Sequence, residues 1–467
     1  MNNKLYIVII MALSLMVHFL YFGHPNEVVF DEVWYGRHVN DYINETFHFD
    51  GHPPLGRMTV AGFAKIFNYK PSTSFLNIGE KFPDKQYMIL RFLPSLAGAI
   101  LPVIIFLIMQ ELGIGPLVSL AGSLMVTFDN GLLVQSRLLL MDSFLLLYGF
   151  TSLLFYLRYR KRGGKFNLFT TGIFAGLAFS VKWVGLSFIG LPIVIEGLTM
   201  LGQIINVGLG SIRWRKFLLI FLALFIIPLT IYFFIITAYS SLLHKSGTGD
   251  AFMSPEYQKT LQGNSYENNP DIKSSNVFQK FFELNAQMYK VNQGLTASHP
   301  YSSPWYSWPF IKRPVYYWVD GNARIYFIGN PIVWWGSTIA IVYAILFAAK
   351  NLWRKLRNTS LQISTTSKTV YVLLIGYFLN LLPYVGIKRI MFLYHYLSAL
   401  IFAIIIFTYL IDKNLGKAES NKKHLKMIIC ILILLTIEMF VYFAPLSYGL
   451  PLAPKAYESR VWLPSWR

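Results

Sequence analysis

The chain has 467 residues, 55% hydrophobic and 13% charged, with a formal net charge of +19 and a single cysteine. A soluble globular chain carries about 25% charged residues, so this composition excludes a soluble enzyme. Cys430 alone excludes an intrachain disulfide and a thiolate metal site, and basic residues clustered in short loops between apolar runs mark cytoplasmic membrane loops, not a nucleic-acid surface.

Runs such as 217–238, 370–382 and 427–443 are almost free of charge. A helix needs about 20 mostly apolar residues to cross the hydrocarbon core. Lipid satisfies no bare backbone group, so these runs are predicted as helices; the period-2 alternation of a membrane barrel is absent. The first span is predicted at 3–22. It lacks a small-residue cleavage site and is followed by His24-Pro25-Asn26-Glu27, so it is expected to be retained. Ten more spans are predicted near 86–110, 114–128, 133–157, 167–182, 184–201, 217–240, 325–348, 369–386, 391–411 and 426–445.

With the N-terminus inside, every dense basic cluster falls in an even-numbered, cytoplasmic loop. These are Arg158–Lys165, Arg213–Lys216, Lys350–Arg357 and Lys413–Lys426. Two odd-numbered segments are large and face outward, near 23–85 and 241–324. Both are rich in aromatics, Pro, Gly and Asn, and long loops of this kind carry function. The predicted organisation is an N-terminal membrane region, 1–240, containing the first outer loop; a second outer loop, 241–324; and a C-terminal four-span region, 325–467.

In the first outer loop, Phe30-Asp31-Glu32 sets two adjacent carboxylates a few residues beyond the first span. A solvated helix N-terminus explains them structurally, through the dipole. Further on stands Phe49-Asp50-Gly51-His52-Pro53-Pro54-Leu55-Gly56-Arg57, whose prolines stop one helix and start another, with Arg57 on its first turn. A turn accounts for the prolines and glycine but not for the clustered Asp, His and Arg.

These two motifs together resemble the first luminal loop of the protein O-mannosyltransferases, a branch of the GT-C glycosyltransferases. Further segments resemble the family in the same order along nearly the whole chain. They are Arg91-Phe92-Leu93-Pro94-Ser95, Gln135-Ser136-Arg137 with Asp142, and Lys182-Trp183-Val184-Gly185-Leu186. Then come Gly247–Pro255, His299-Pro300-Tyr301-Ser302-Ser303-Pro304-Trp305, and Arg389 with Tyr394-His395-Tyr396. Eukaryotic members carry β-trefoil modules in the second outer loop; about 84 residues here cannot hold them, which implies a bacterial or archaeal member.

The resemblance implies an all-α GT-C membrane fold of about eleven spans, with short helices in the two large outer loops. It also implies an inverting transfer of mannose from polyprenyl phosphate to Ser or Thr of proteins. Asp31 matches the family's proposed base, with Glu32 orienting groups, since adjacent helical side chains diverge. Charge on the departing phosphate calls for fixed cations. Arg91, Arg137, Lys182 and Arg389 are the candidates, Lys388 being read as a snorkelling interface residue and Arg137 also as an ion-pair partner of Asp142. Intramembrane charge is costly and marks function by default.

His52, Arg57, His299, Tyr301, Trp305 and His395 are expected to contact substrate. His52, His299 and His395 lack metal-ligand spacing, and no metal or other cofactor is expected. Trp305, Trp308, Trp334 and Trp335 are expected in an interfacial aromatic belt, with sugar stacking the alternative. The expected partners are the donor lipid, secreted acceptor proteins and the secretion translocon, in the cell membrane, with the site on the outer face. An aminoarabinose transferase acting on lipid A is the rival enzyme. A transporter would place ionisable groups at the midplane of repeated halves, and no repeat is present.

Overall fold

The computed structural model describes residues 3–211, 213–294, 298–358, 362–387, 389–415 and 422–467. Helix α1 (Asn3–Phe19) leads into the first outer loop, which holds α2 (Glu32–Asn44) and α3 (Leu55–Ile66). The bundle continues with α4 (Tyr87–Glu111), α5 (Pro116–Thr127), α6 (Asn130–Arg137), α7 (Asp142–Arg162), α8 (Lys165–Val181) and α9 (Leu186–Val207). After α10 (Trp214–Phe221) a π-turn joins α11 (Ile227–Leu242). The second outer loop contains α12 (Pro255–Gln258), α13 (Val277–Gly294) and a hairpin of β1 (Val315–Asp320) and β2 (Ala323–Phe327). The chain ends with α14 (Pro331–Arg357), α15 (Thr365–Leu379), α16 (Leu397–Leu415), α17 (Lys422–Tyr448) and α18 (Pro454–Glu458).

Among the described residues, seven helices are long and apolar enough to cross a membrane, or eight if α5 and α6, bent by 56°, form one span. The predicted count of eleven exceeds this. Helices α1 and α8 are apolar but have only 17 residues. Helix α7 starts on Asp142 and ends in Arg160-Lys161-Arg162.

Two predicted boundaries are corrected. The span at 133–157 crosses a real break, because Leu138 is extended and closes α6. The span at 325–348 begins inside β2; α14 starts only at Pro331, the N1 proline after Asn330, whose side chain accepts the Ile332 N–H. The all-α expectation therefore gains one antiparallel hairpin, Val315 opposite Phe327.

Local chemistry explains the breaks that shape the site. Asp129 caps α6 through Leu132 N–H and accepts from Asn330 N–H and Trp334 Nε1, tying α6 to α14. Lys182 is extended (φ −150°, ψ 144°) and interrupts α8 and α9, which frees its side chain at a helix end. Helix α16 is apolar on nearly every face and lies buried at the centre of the bundle.

The two long loops, 23–85 and 241–324, are clamped together. A Cβ on Gly247 would meet the Phe47 carbonyl oxygen at 2.3 Å, and one on Gly249 the Phe49 nitrogen at 2.5 Å. Only glycine permits that approach. It pins the strand of loop that leads into Asp50 and His52.

Candidate active site

Behind Asp31 the hairpin supplies a wall. Tyr317 of β1 stacks on Phe30 with ring centres 3.9 Å apart and donates to Gln135 Oε1 at 2.6 Å. Phe30 is held at φ 47°, a conformation costly for an aromatic residue unless its surroundings enforce it. The stack does so and turns Asp31 toward a cavity of about 620 Å³. Asp31 sits at the N-cap of α2 but makes no cap hydrogen bond; the helix-terminus reading gives its position, not its use.

Asp31, His52, Lys182, Arg389 and His395 all line this cavity, together with Asp50, Gln135, Asp142, Asn292 and Tyr394. Lys182 Nζ lies 2.8 and 2.9 Å from the two Asp142 oxygens, and Gln135 Nε2 donates to the same carboxylate at 2.7 Å. Arg389 Nη1 donates to Asn292 Oδ1. His395 Nδ1 faces the Phe392 backbone at 3.0–3.1 Å, and its ring stacks on Tyr394.

Burial pushes the Asp31 carboxyl up to about 7, Lys182 pulls it down, and Asp142 and Asp50 push it further up. A carboxylate poised near neutrality is suited to take a proton. Burial drives the His52 imidazole down to about 3, against the pull of Asp50 and helped by Lys182 and Arg389, so His52 is neutral. Burial alone would raise Asp50, but the Arg57 guanidinium beside it, with His52, holds it below the ordinary carboxylate value.

Other predicted residues lie outside the cavity lining. Arg91 grips Glu32 through Nε at 2.7 Å and Nη2 at 2.6 Å, and its other N–H groups reach the carbonyls of Gly23, Pro25 and Glu27. Glu32, 1% exposed, also accepts from Val29 and Leu139 N–H. This buried pair pins the first loop to α4 and to the link between α6 and α7. Arg137 does not pair with Asp142, which is taken by Lys182; it donates to the carbonyls of Ser447, Tyr21 and His24 and covers the Tyr448 ring.

Arg57 pairs with Asp50 and bonds the His52 and Pro53 carbonyls, so it braces the cavity from behind. His299 packs on Phe392 and Tyr301, one layer out from His395. Tyr301 stacks on Tyr316, and Trp305 meets Tyr306. Trp308 and Trp334 are fully buried, which removes both from an interfacial belt; their indoles bond Ser303 and Asp129. Lys388 lies outside the described residues. Among those described, no three His, Cys, Asp or Glu side chains form a group that could hold a metal.

Sequence reasoning missed Asn292 and gave Asp142 the wrong partner. The short spacing of Asp50, His52 and Arg57 was a usable signal for a braced carboxylate. Nothing local links Asp142 to Lys182, forty residues on.

An apolar helical bundle enclosing a cavity in which one near-neutral carboxylate shares walls with two cations fits a polytopic membrane enzyme. The model for dolichyl-phosphate-mannose-protein mannosyltransferase matches residues 8–244, and that for the C-terminal four TMM region of protein-O-mannosyltransferase matches 277–466. The chain belongs to the protein O-mannosyltransferase family, within the GT-C superfamily. Dolichyl-phosphate-mannose–protein mannosyltransferase 1 of Candida albicans is 21% identical over 95% of this chain and 75% of its own length. Protein O-mannosyltransferase 1 of Drosophila melanogaster is 33% identical over 51% of this chain and 28% of its own.

In fold, the chain matches the S. cerevisiae protein O-mannosyltransferase Pmt1–Pmt2 complex bound to the sugar donor. The TM-score is 0.93 at 19% identity, covering 100% of this chain and 93% of that one. An oligosaccharyltransferase of Archaeoglobus fulgidus, tethered to an acceptor peptide, matches with a TM-score of 0.55 at 12% identity, covering 98% and 57%.

Proposed function

We propose that this protein moves mannose from a polyprenyl phosphate to Ser or Thr hydroxyls of proteins at the outer face of the cell membrane, its N-terminus being cytoplasmic. The observation that carries the site assignment is the shared cavity: Asp31, raised to about 7, with Lys182 and Arg389 in the same walls. The acceptor hydroxyl attacks the anomeric carbon while Asp31 accepts its proton. The new C–O bond forms as the bond to the phosphate oxygen breaks, with inversion. The electron pair leaves on the phosphate, whose charge Lys182 and Arg389 offset. Phosphate is a good leaving group, so no general acid is required, and neutral His52 is not one.

His395, His52 and Asp50 are assigned to the sugar, as hydrogen-bonding groups on the cavity wall. Arg91, Glu32, Arg137 and Arg57 are assigned to positioning. The chemistry calls for no metal or other cofactor. The yeast structural relative is a two-chain complex by its name, and a second mannosyltransferase chain is the proposed partner here; the secretion translocon is a further one, supplying unfolded acceptors. The test is incubation of membranes containing this chain with polyprenyl-phosphate mannose and a Ser/Thr peptide. Mass spectrometry should find one added hexose on a hydroxyl; an unmodified peptide, with active donor present, refutes the reading.

A further inference from the structure

Three separate stretches of chain meet at one side chain, Asn292 near the end of α13. Its Nδ2 donates to the Gly51 carbonyl at 2.6 Å and to the Met288 carbonyl at 2.8 Å, and its Oδ1 accepts from Arg389 Nη1. Only the amide nitrogen can serve two carbonyl acceptors, so the side-chain orientation is fixed and the oxygen faces the guanidinium. Gly51 lies between Asp50 and His52, both in the cavity wall. A Cβ there would stand 3.1 Å from Asn292 Nδ2, so the loop and α13 are already at close approach.

Among the described residues, Arg389 is held in the cavity wall by this neutral acceptor and has no carboxylate within ion-pair distance. Of the cavity's three acids, Asp50 pairs with Arg57 and Asp142 with Lys182, while Asp31 acts on Arg389 only from beyond ion-pair distance. A guanidinium has five N–H donors, and the amide takes one. A carboxylate in its place would cancel the guanidinium's charge and could not donate to the Gly51 and Met288 carbonyls.

We infer that Asn292 is a positioning residue for donor binding, aiming Arg389 into the cavity while leaving its positive charge and remaining donors for the phosphate. The inference rests on the reading of Arg389 as a donor contact given above. It also assigns α13 a role: the second outer loop sets the cation, and through Gly51 it sets the loop that bears Asp50 and His52.

The test uses the full chain reconstituted in phosphatidylcholine vesicles, with polyprenyl-phosphate mannose and a Ser/Thr peptide. N292A should raise the donor KM about tenfold and leave the acceptor KM within about twofold. N292D loses both Nδ2 donations and also sets a carboxylate on Arg389, so it should raise the donor KM further than N292A and weaken inhibition by polyprenyl phosphate. A purely structural tie predicts that both variants raise donor and acceptor KM together, with inhibition by polyprenyl phosphate no weaker in N292D than in N292A. R389A separates the two levels. If it leaves donor KM unchanged, the site reading fails and this inference with it. If it raises donor KM while N292D behaves as wild type, or N292A raises both KM values alike, the inference alone is overturned.

Discussion

Asp31→Asn removes a cavity carboxylate that, among the described residues, has no cationic partner within ion-pair distance, and it preserves the side-chain shape. The carboxyl titrates at about 7, so about a tenth is ionised at pH 6 and about nine-tenths at pH 8. Wild-type kcat/KM should therefore rise about fivefold from pH 6 to 7 and level off above 8. General-base catalysis is worth about 10²–10⁴-fold, or roughly 2.7–5.4 kcal/mol of barrier, and the variant should lose that much turnover and its pH dependence. Stability should move the other way. The folded value lies above the ordinary 3.8, so the folded state binds more protons between about 4 and 7, and stability from this group is lost as pH rises through 7. Asparagine abolishes that loss, so the variant should unfold at an equal or higher temperature at pH 7.5. Donor turnover in vesicles and thermal unfolding in detergent measure the two effects. Turnover within tenfold of wild type, or the unchanged rising pH profile, would refute the assignment.

Arg91→Ala should leave Glu32 charged and buried, costing about 3–5 kcal/mol; the readout is loss of monodisperse protein or a lowered melting temperature, and a well-folded variant with only a raised donor KM would show that Arg91 contacts donor after all. Lys182→Met should lower kcat roughly 10²-fold. Adding Asp142→Asn should restore thermal stability without restoring turnover, whereas recovered turnover would mean that Lys182 serves only to neutralise Asp142. For topology, a cysteine replacing Asn77 in the exposed first loop should react with a membrane-impermeant maleimide from outside intact cells, and one replacing Lys165 should not. Both should be read in a Cys430→Ser background, and the reversed pattern removes the outward-facing site.

Hydropathy located the helices because lipid leaves the chain few alternatives, and Pro53-Pro54 placed the start of α3 two residues before Arg57. The hairpin escaped because its first strand and turn fell in the second outer loop, 241–324, and only residues 325–327 joined the apolar run that follows, although Gly321-Asn322 between aromatic stretches is a turn signal. Site residues were legible by type and not by direction. Arg91 and Arg137 read like Arg389 in sequence: each is a lone guanidinium at the outer end of an apolar run. What separates them is the folded course of residues 21–27, whose carbonyls meet Arg91 and Arg137 and not Arg389.

That difference supplies a criterion for assigning cations in an apolar bundle. A guanidinium is bound to structure to the extent that its five donors are occupied. In Arg91 all are engaged, by one bidentate carboxylate and three carbonyls, and its charge is matched by Glu32. Arg137 is spread over three carbonyls and an aromatic face, away from the cavity. Arg389 touches one neutral amide and faces open volume. Lys182 is the intermediate case, in the cavity but matched by Asp142. On the proposed reading, an arriving phosphate meets one paired and one unpaired cation, and the unpaired one is expected to dominate donor capture. On the same reading, Lys182 is expected to contribute as charge builds on the leaving oxygen, when its ammonium can divide its donors between Asp142 and the phosphate.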